Sequence, residues 1–149
     1  MNPPDFAANW TACLETGAAV RFEHGPRRME LGVPHRIADD FVTSRGFVAI
    51  GFNWELLDAE ASPGEPRSGE GEIVKALTGT LANPAKPWLA HDAATACAHD
   101  FLSLFEPPAR TLLANRYDGL WNPIGGSATE WGFVGYDAKT IALLLLSER

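Results

Sequence analysis

An unbroken apolar run at residues 141–146 constrains the fold more than any other feature of this chain. An extended strand with this pattern carries apolar side chains on both faces, so both of its faces need cover. The run is far shorter than the ~20 residues that a membrane-spanning helix requires. The sequence therefore predicts a central or helix-covered strand here, within a sheet that packs against helices.

The residues before and after this run predict a C-terminal meander. Ranges 120–124, 128–137 and 140–147 have the pattern of strands, and the connections at 125–127 and 137–139 are short. Connections of this length join antiparallel neighbours. We therefore expect three consecutive strands to lie side by side at the end of the chain.

Two further sheet elements are expected in the first third of the chain. Apolar and charged residues alternate over 20–22 and 29–33, on either side of a turn at 24–27, which predicts a hairpin with one solvated face. Residues 47–52 are largely apolar. A short apolar run does not by itself distinguish a strand from a buried helix, but its bracketing glycines favour a strand.

Helices are predicted where apolar residues recur at spacings of three and four. The clearest helix contains such residues from Ala94 to Phe105. Pro34 begins another helix, which Gly46 ends. Three more helices are expected at 5–16, 73–81 and 112–117.

The expected fold class is α+β, with an antiparallel or mixed sheet of about five strands packed against about five helices. The sheet would comprise the N-terminal hairpin, one central strand and the C-terminal meander. With 149 residues, the chain 1–149 has the commonest size for a single domain. Residues 61–71 are rich in Gly, Pro, Ser and Glu, and we expect a flexible surface loop there rather than a linker between two small cores.

The charge balance is acidic, with 19 Asp and Glu against 12 Lys and Arg and a formal net charge of -7. Phosphate contacts need clustered Lys and Arg, so the sequence argues against a nucleic-acid partner. A basic protein is the partner that this charge favours. No membrane partner is expected, and the sequence does not indicate the oligomeric state.

Cysteine usage and the first residues of the chain favour a cytoplasmic location. Cys13 and Cys97 are far apart and lie among apolar residues, which is typical of buried thiols rather than of a disulfide framework. The chain does not begin with a basic stretch followed by an apolar one, so no secretory signal is expected.

Motifs for catalysis, cofactors and metals are not matched, so no catalytic residue, cofactor or metal site is predicted and enzyme activity is left open. A His-Asp pair occurs twice, at 91–92 and at 99–100. That spacing places the two histidines ~12 Å apart along one helix, too far for a shared metal. The glycines at 125–126 lack the Gly-Lys-Ser/Thr ending of a phosphate loop.

Four basic residues form a candidate anion-binding site, namely Arg27, Arg28, His35 and Arg36. The helix that follows Pro34 begins with basic residues, although the positive end of a helix dipole favours acidic ones there. Guanidinium and backbone N–H groups would then converge on a phosphate or carboxylate. The alternative is that these side chains are solvated or paired with nearby carboxylates, namely Glu23, Glu30, Asp39 and Asp40.

A second candidate site is a partner or ligand pocket that comprises Trp121, Asn122, Glu130 and Trp131. The two indoles would approach each other across the expected hairpin if its register allows. Indole rings beside polar groups suit a ligand pocket or a partner hot spot. The alternative is core packing, because a domain with five Trp and eight Phe must bury most of them.

Three function classes remain open, in decreasing order of support. The first is a protein-interaction module of the inhibitor or immunity type, which turns an acidic face toward a basic partner. The second is a small-molecule binder or enzyme that uses an anion site around Arg28, His35 and Arg36, with His35 as acid or base. The third is an assembly subunit that dimerises through its meander.

Overall fold

Seven strands lie in the described part of the chain, which comprises residues 1–27, 32–80, 83 and 85–148 of this computed structural model. They are β1 (Ala19–Pro26), β2 (Glu55–Leu57), β3 (Thr111–Ala114), β4 (Arg116–Tyr117), β5 (Leu120–Trp121), β6 (Glu130–Tyr136) and β7 (Thr140–Ser147). The main sheet has five antiparallel strands in the order β1-β7-β6-β3-β2, and β4 pairs with β5 in a separate sheet.

Four α-helices lie among the described residues: α1 (Pro3–Leu14), α2 (Pro34–Ser44), α3 (Gly69–Thr78) and α4 (His91–Leu102). A 3-10 turn occupies Gly51–Asn53. The α+β class is confirmed, with one α-helix fewer than expected. The four helices match predicted ones, with bounds that differ by a few residues. None of these helices is long and apolar enough to cross a membrane.

Helices cover both faces of the main sheet. One core cluster joins α1, α3 and α4 to strand residues such as Phe133 and Leu144, and the second joins α2 to residues such as Val134 and Leu143. Residues 141–146 are buried, and β7 lies between β1 and β6. The prediction of a central or helix-covered strand is therefore confirmed.

The turn predicted at residues 24–27 is wrong, because β1 runs through most of this range. The antiparallel register between β1 and β7 continues to the pair of Pro26 with Thr140. Strand pairing therefore outweighs the local preference of the Gly-Pro sequence for a turn. The second strand of that hairpin, predicted at 29–33, falls largely on residues 28–31, which lie outside the described part of the chain.

The strand predicted at residues 47–52 is also wrong. Val48 and Phe52 are 61% and 79% exposed, and the chain turns through the 3-10 segment. The Asp39 carboxylate accepts the backbone N–H of Ile50 and of Gly51, each at 2.9 Å. A carboxylate from α2 thus supplies hydrogen bonds that a neighbouring strand would otherwise provide.

The helix predicted at residues 112–117 is replaced by β3 and the start of a hairpin. Leu112 and Leu113 are adjacent but both buried, because they point to opposite faces of a sheet that is covered on both sides. The C-terminal meander is correct only for β6 and β7. The strand expected at 120–124 is limited to β5 and pairs with β4 instead.

The loop predicted at residues 61–71 ends earlier than expected, since α3 begins at Gly69. Ser68 caps this helix by accepting the N–H of Gly71 at 3.0 Å. Its own hydroxyl donates to the Ala61 carbonyl at 2.9 Å, so Ser68 also closes the loop. A polar, glycine-rich segment can therefore begin a helix where a serine cap and an apolar face follow.

Candidate interaction surface

A tight hairpin formed by β4 and β5 holds two large side chains in solvent. Its turn residues Asp118 and Gly119 have φ values of 52° and 75°. An Asp-Gly pair in this left-handed region is typical of a two-residue hairpin turn. The strand residues on either side, Tyr117 and Leu120, pair with each other and are 53% and 70% exposed.

The hairpin is joined to the main sheet by two tryptophans. Trp121 of β5 and Trp131 of β6 meet edge to face, with ring centroids 4.0 Å apart and an interplanar angle of 70°. They are not cross-strand partners, because Trp121 pairs with Arg116 and Trp131 pairs with Leu146. The contact therefore depends on how the hairpin folds over the sheet.

Arg116 lies over both indoles. Its guanidinium carbon is 5.5 Å from the centroid of each ring, within the ~6 Å range of cation–π attraction. Its Nη1 is 3.9 Å from the Oε2 of Glu72 on α3. We call Arg116, Tyr117, Leu120, Trp121 and Trp131 the hairpin surface.

Glu55 on β2 adds a second carboxyl group beside Arg116. Burial, followed by the negative charge of Glu72, raises the pKa of Glu55, and the charges of Arg116 and Arg67 oppose this increase. The carboxyl groups of Glu55 and Glu72 thus border the hairpin surface from two different elements. This border is a network of opposite charges, because Arg116 and Arg67 act on Glu55 while Arg116 and Lys75 pair with Glu72.

Much of the acidity of the chain lies in one segment that includes Glu55 and Glu72 of this border, and whose Glu60 pairs with Arg110 at the other end of β3. Residues 55–72, which we call the acidic segment, hold six acidic residues and one basic residue. The segment therefore contributes -5 of the net charge of -7. Its acidic residues are Glu55, Asp58, Glu60, Glu65, Glu70 and Glu72.

Glu130, which the sequence places in the pocket with the tryptophans, lies on the opposite face of the sheet from Trp131. Successive side chains of a strand alternate between faces, so these two neighbours separate. Glu130 is fully buried, and its carboxylate accepts the N–H groups of Gly125 at 3.0 Å and Ser127 at 2.8 Å. The buried Glu130 side chain thus holds the loop that precedes β6 through these hydrogen bonds.

Asn122 supports the hairpin through its backbone. Its N–H donates to the Asn115 carbonyl at 2.9 Å, and its carbonyl accepts from the buried Asn115 side chain at 3.3 Å. The side-chain amide of Asn115 is thus part of the hinge between the main sheet and the hairpin. Of the four residues in this candidate pocket, the structure brings the two tryptophans together and places the two polar residues in supporting positions.

Arg27 of the candidate anion site lies in a cavity of about 350 Å³ that it shares with Arg45. Its guanidinium lies 4.7 Å from the centroid of the Tyr136 ring, and its Nη1 donates to the Asp137 carbonyl at 3.0 Å. Arg28 lies outside the described residues.

His35 and Arg36 lie in a different cavity, of about 530 Å³. The His35 ring is 4.3 Å from the ring of the exposed Phe52. The structure therefore brings His35 and Arg36 together and separates them from Arg27.

The second of the two His-Asp pairs takes structural roles on α4. His99 pairs with Glu70 of α3, and Asp100 accepts the indole N–H of Trp10 at 2.8 Å. Within the described ranges, no group of three His, Cys, Asp or Glu is placed to hold a metal ion. Cys97 is fully buried, and burial, followed by the charge of Asp100, raises the pKa of its thiol.

Sequence reasoning missed Arg116, Tyr117 and Leu120 as surface residues, because it assigned them to a helix end and a meander strand. The Asp-Gly pair at 118–119 is the available signal, since it favours a two-residue hairpin over a helix end. Glu55 and Glu72 carry no such local signal. The position of Glu72 beside Arg116 depends on the packing of α3 against the sheet, and that of Glu55 depends on the pairing of β2 with β3.

Comparison with known proteins gave no match to a family model, to a curated protein or to a solved structure. The function of the hairpin surface is therefore inferred from its own chemistry. Exposed apolar residues, paired indoles and a border of carboxyl groups are the features that a function has to explain.

Proposed function

We propose that this chain is a protein-interaction module of the inhibitor or immunity type, which binds a basic protein through the hairpin surface and the adjoining acidic segment. The observation that carries this proposal is the exposure of Tyr117 and Leu120 beside the paired indoles. A tight hairpin holds these two cross-strand partners largely in water. Contiguous exposed apolar residues of this kind are typical of binding sites.

The composition of the hairpin surface supports a protein partner. Trp, Tyr and Arg are the residue types that most often dominate the free energy of protein–protein binding. Here Tyr117 and Leu120 extend outward, whereas Trp121, Trp131 and Arg116 hold one another in place. A surface held in its binding conformation loses little side-chain entropy on association.

The charge around this surface supports a basic partner. The acidic segment carries a formal charge of -5. Within it, Glu60 pairs with Arg110, and Glu72 pairs with Lys75 and with Arg116 of the hairpin surface. Complementary charge raises the association rate and disfavours acidic proteins. Because such attraction is screened at physiological salt over ~8 Å, the association rate of a basic partner should fall with ionic strength.

A comparative capture experiment tests the proposal. The wild-type chain, a Tyr117→Ser/Leu120→Ser variant and a Val48→Ser/Phe52→Ser control are each immobilised and exposed to extract of the producing cells. The control removes two apolar residues elsewhere on the chain that are slightly more exposed. We expect the wild type and the control to retain the same basic protein, and the hairpin variant to lose it.

The retained protein is then purified and its binding measured. The Tyr117→Ser/Leu120→Ser variant should have a dissociation constant at least tenfold higher than the wild type, which corresponds to about 1.4 kcal/mol of binding free energy. An Asp58→Asn/Glu65→Gln variant should bind more slowly and with a weaker salt dependence. Equal retention by the hairpin variant, or retention of an acidic protein only, would contradict the proposal.

The second candidate is a small-molecule binder or enzyme, favoured by the cavity of about 530 Å³ that His35 and Arg36 line. A thermal-shift screen with inorganic phosphate and small carboxylates tests it against an Arg36→Ala variant. A ligand at one hundred times its dissociation constant adds about 2.7 kcal/mol of stability. A shift that the variant abolishes would support this candidate, and no shift would reject it for those ligands.

A further inference from the structure

Strand β1 forms an edge of the main sheet. Its register with β7 determines which of its residues bond to β7 and which direct their backbone groups outward. The Arg27 N–H donates to the Lys139 carbonyl at 2.8 Å, and the same register continues along the pairing of β1 with β7. Hydrogen-bonded pairs alternate along an antiparallel ladder. The odd-numbered residues of β1 therefore bond to β7, whereas Val20, Phe22 and His24 direct their backbone groups away from the sheet.

One hydrogen bond and the position of Pro26 agree with this alternation. The carbonyl of His24 accepts the Arg45 Nη2–H at 2.9 Å, from outside the sheet. Pro26 occupies the next outward position, where a missing N–H costs no ladder bond. Among the described residues, no backbone group pairs with those of Val20 and Phe22 on this edge.

The charged side chains of β1 form a self-complementary pattern. Arg21 and Glu23 project from the same face of the strand, with Arg21 Nη2 3.5 Å from Glu23 Oε2. Their side chains are 55% and 24% exposed. The strand therefore carries a positive charge on one side of Phe22 and a negative charge on the other.

We propose that β1 pairs antiparallel with β1 of a second copy of this chain, with a two-fold axis at Phe22. The outward backbone groups of β1 belong to even-numbered residues, and they can bond only to the even-numbered residues of the second copy. The numbers of paired residues therefore add up to an even number, which places the two-fold axis at a residue rather than between two residues. An axis at Arg21 would oppose two arginines, and an axis at Glu23 would oppose two glutamates. Only an axis at Phe22 places Arg21 opposite Glu23 of the second copy, and it does so twice.

This register also suits the remaining positions. Val20 faces His24 of the second copy, so the Val20 carbonyl gains the His24 N–H as a donor, and the Val20 N–H takes the place of Arg45 Nη2 on the His24 carbonyl. Ala19 faces Gly25, beside which Arg45 Nη2 lies in the single chain, so Arg45 moves aside at both ends of the pairing. Pairing with β1 of the second copy would thus cover an edge that could otherwise accept an unrelated strand.

The pairing goes beyond the proposed function and leaves it intact. Glu55, at the border of the hairpin surface, lies on β2, at the opposite edge of the main sheet from β1. A dimer through β1 would therefore present two separate hairpin surfaces.

Sedimentation equilibrium of charge variants tests the pairing. We expect the wild type to have twice the monomer mass, and the Arg21→Glu and Glu23→Arg variants each to have the monomer mass at the same concentration. An equal mixture of the two variants should regain the dimer mass, because arginines of one chain then oppose carboxylates of the other. Lys86→Glu, an exposed charge change elsewhere, should remain dimeric. Circular dichroism confirms that each variant is folded.

A disulfide tests the register itself. In the pairing, residues 21 and 23 of opposite chains form a non-hydrogen-bonded pair with Cα atoms ~4.5 Å apart, within disulfide range. Oxidation of an Arg21→Cys/Glu23→Cys variant in a Cys13→Ser background should give a covalent dimer. An Ala19→Cys/Arg21→Cys control should not. A monomeric wild type, a dimer that persists in both charge variants, or equal cross-linking of the control would overturn the proposal.

Discussion

The indole ring of Trp121 meets that of Trp131 at 70°, with their centroids 4.0 Å apart. One indole belongs to the small hairpin and the other to the main sheet, so this contact fixes the position of the hairpin. Arg116 lies over both rings and connects them to Glu72 on α3. Mutations at Arg116 therefore test what holds the hairpin in place, whereas mutations at the exposed Tyr117 and Leu120 test what it binds.

Replacing Arg116 by Gln should lower the free energy of unfolding by about 1 kcal/mol, because a cation–π contact at a partly exposed site contributes about that much. Urea unfolding followed by fluorescence measures the change. Lys75→Gln is the control, since Lys75 also pairs with Glu72, at 3.3 Å, but contacts no ring. We expect less than about 0.5 kcal/mol for that exposed pair. Equal losses would mean that the carboxylate, rather than the indoles, holds Arg116.

Glu130→Gln should lower the free energy of unfolding by about 1–3 kcal/mol. The buried carboxylate accepts N–H groups of Gly125 and Ser127, and a Gln side chain has only one acceptor oxygen for them. Its amide nitrogen would face a donor. Glu148→Gln, at an exposed position, should change stability by less than about 0.5 kcal/mol. A comparable loss in both variants, measured by urea unfolding, would contradict the role of Glu130.

Glu55→Gln should stabilise the protein at pH 7. Burial, and then the charge of Glu72, raises the pKa of Glu55 above 4.5, so the folded state binds this proton more tightly than the unfolded state. Stability is therefore lost as the pH rises from 4.5 through the folded pKa. The amide variant avoids this loss. We expect its thermal midpoint to exceed that of the wild type at pH 7 and to match it at about pH 3.5.

Asp137→Asn should have the opposite pH dependence. Burial raises the pKa of this carboxyl, but the N–H groups of Glu106, Lys139 and Thr140, each at 2.8 Å, outweigh burial and hold the pKa below 3.8. The carboxylate therefore stabilises the fold above pH 3.8, and this contribution is lost as the pH falls through the folded pKa. Thermal unfolding should show a less stable variant at pH 7 and a smaller difference near pH 2. A difference independent of pH would contradict the assignment.

The local sequence pattern was sufficient to predict the four helices. Pro34 and Gly46 mark the limits of α2 within two residues, and Gly46 has a φ of 88°, which a larger side chain rarely adopts. The spacing from Ala94 to Phe105 likewise places α4. These predictions succeeded because a helix forms its hydrogen bonds within itself, so its spacing and end signals are contained in one segment.

Local pattern failed where hydrogen-bond partners come from elsewhere in the chain. Leu112 and Leu113 belong to β3 because β2 and β6 flank this segment. Residues 50–51 turn rather than extend because the Asp39 carboxylate accepts their N–H groups. Neither partner is near these residues in the sequence.

The sequence by itself determined the α+β class, the amphipathic helices and the need to cover both faces of residues 141–146, since hydrophobic spacing is a local property. It also determined the net charge and its concentration in residues 55–72. Only the tertiary structure decided that Trp121 lies against Trp131 and that Glu72 borders Arg116. These contacts depend on how α3, the hairpin and the main sheet pack together, and packing is set by all three elements at once.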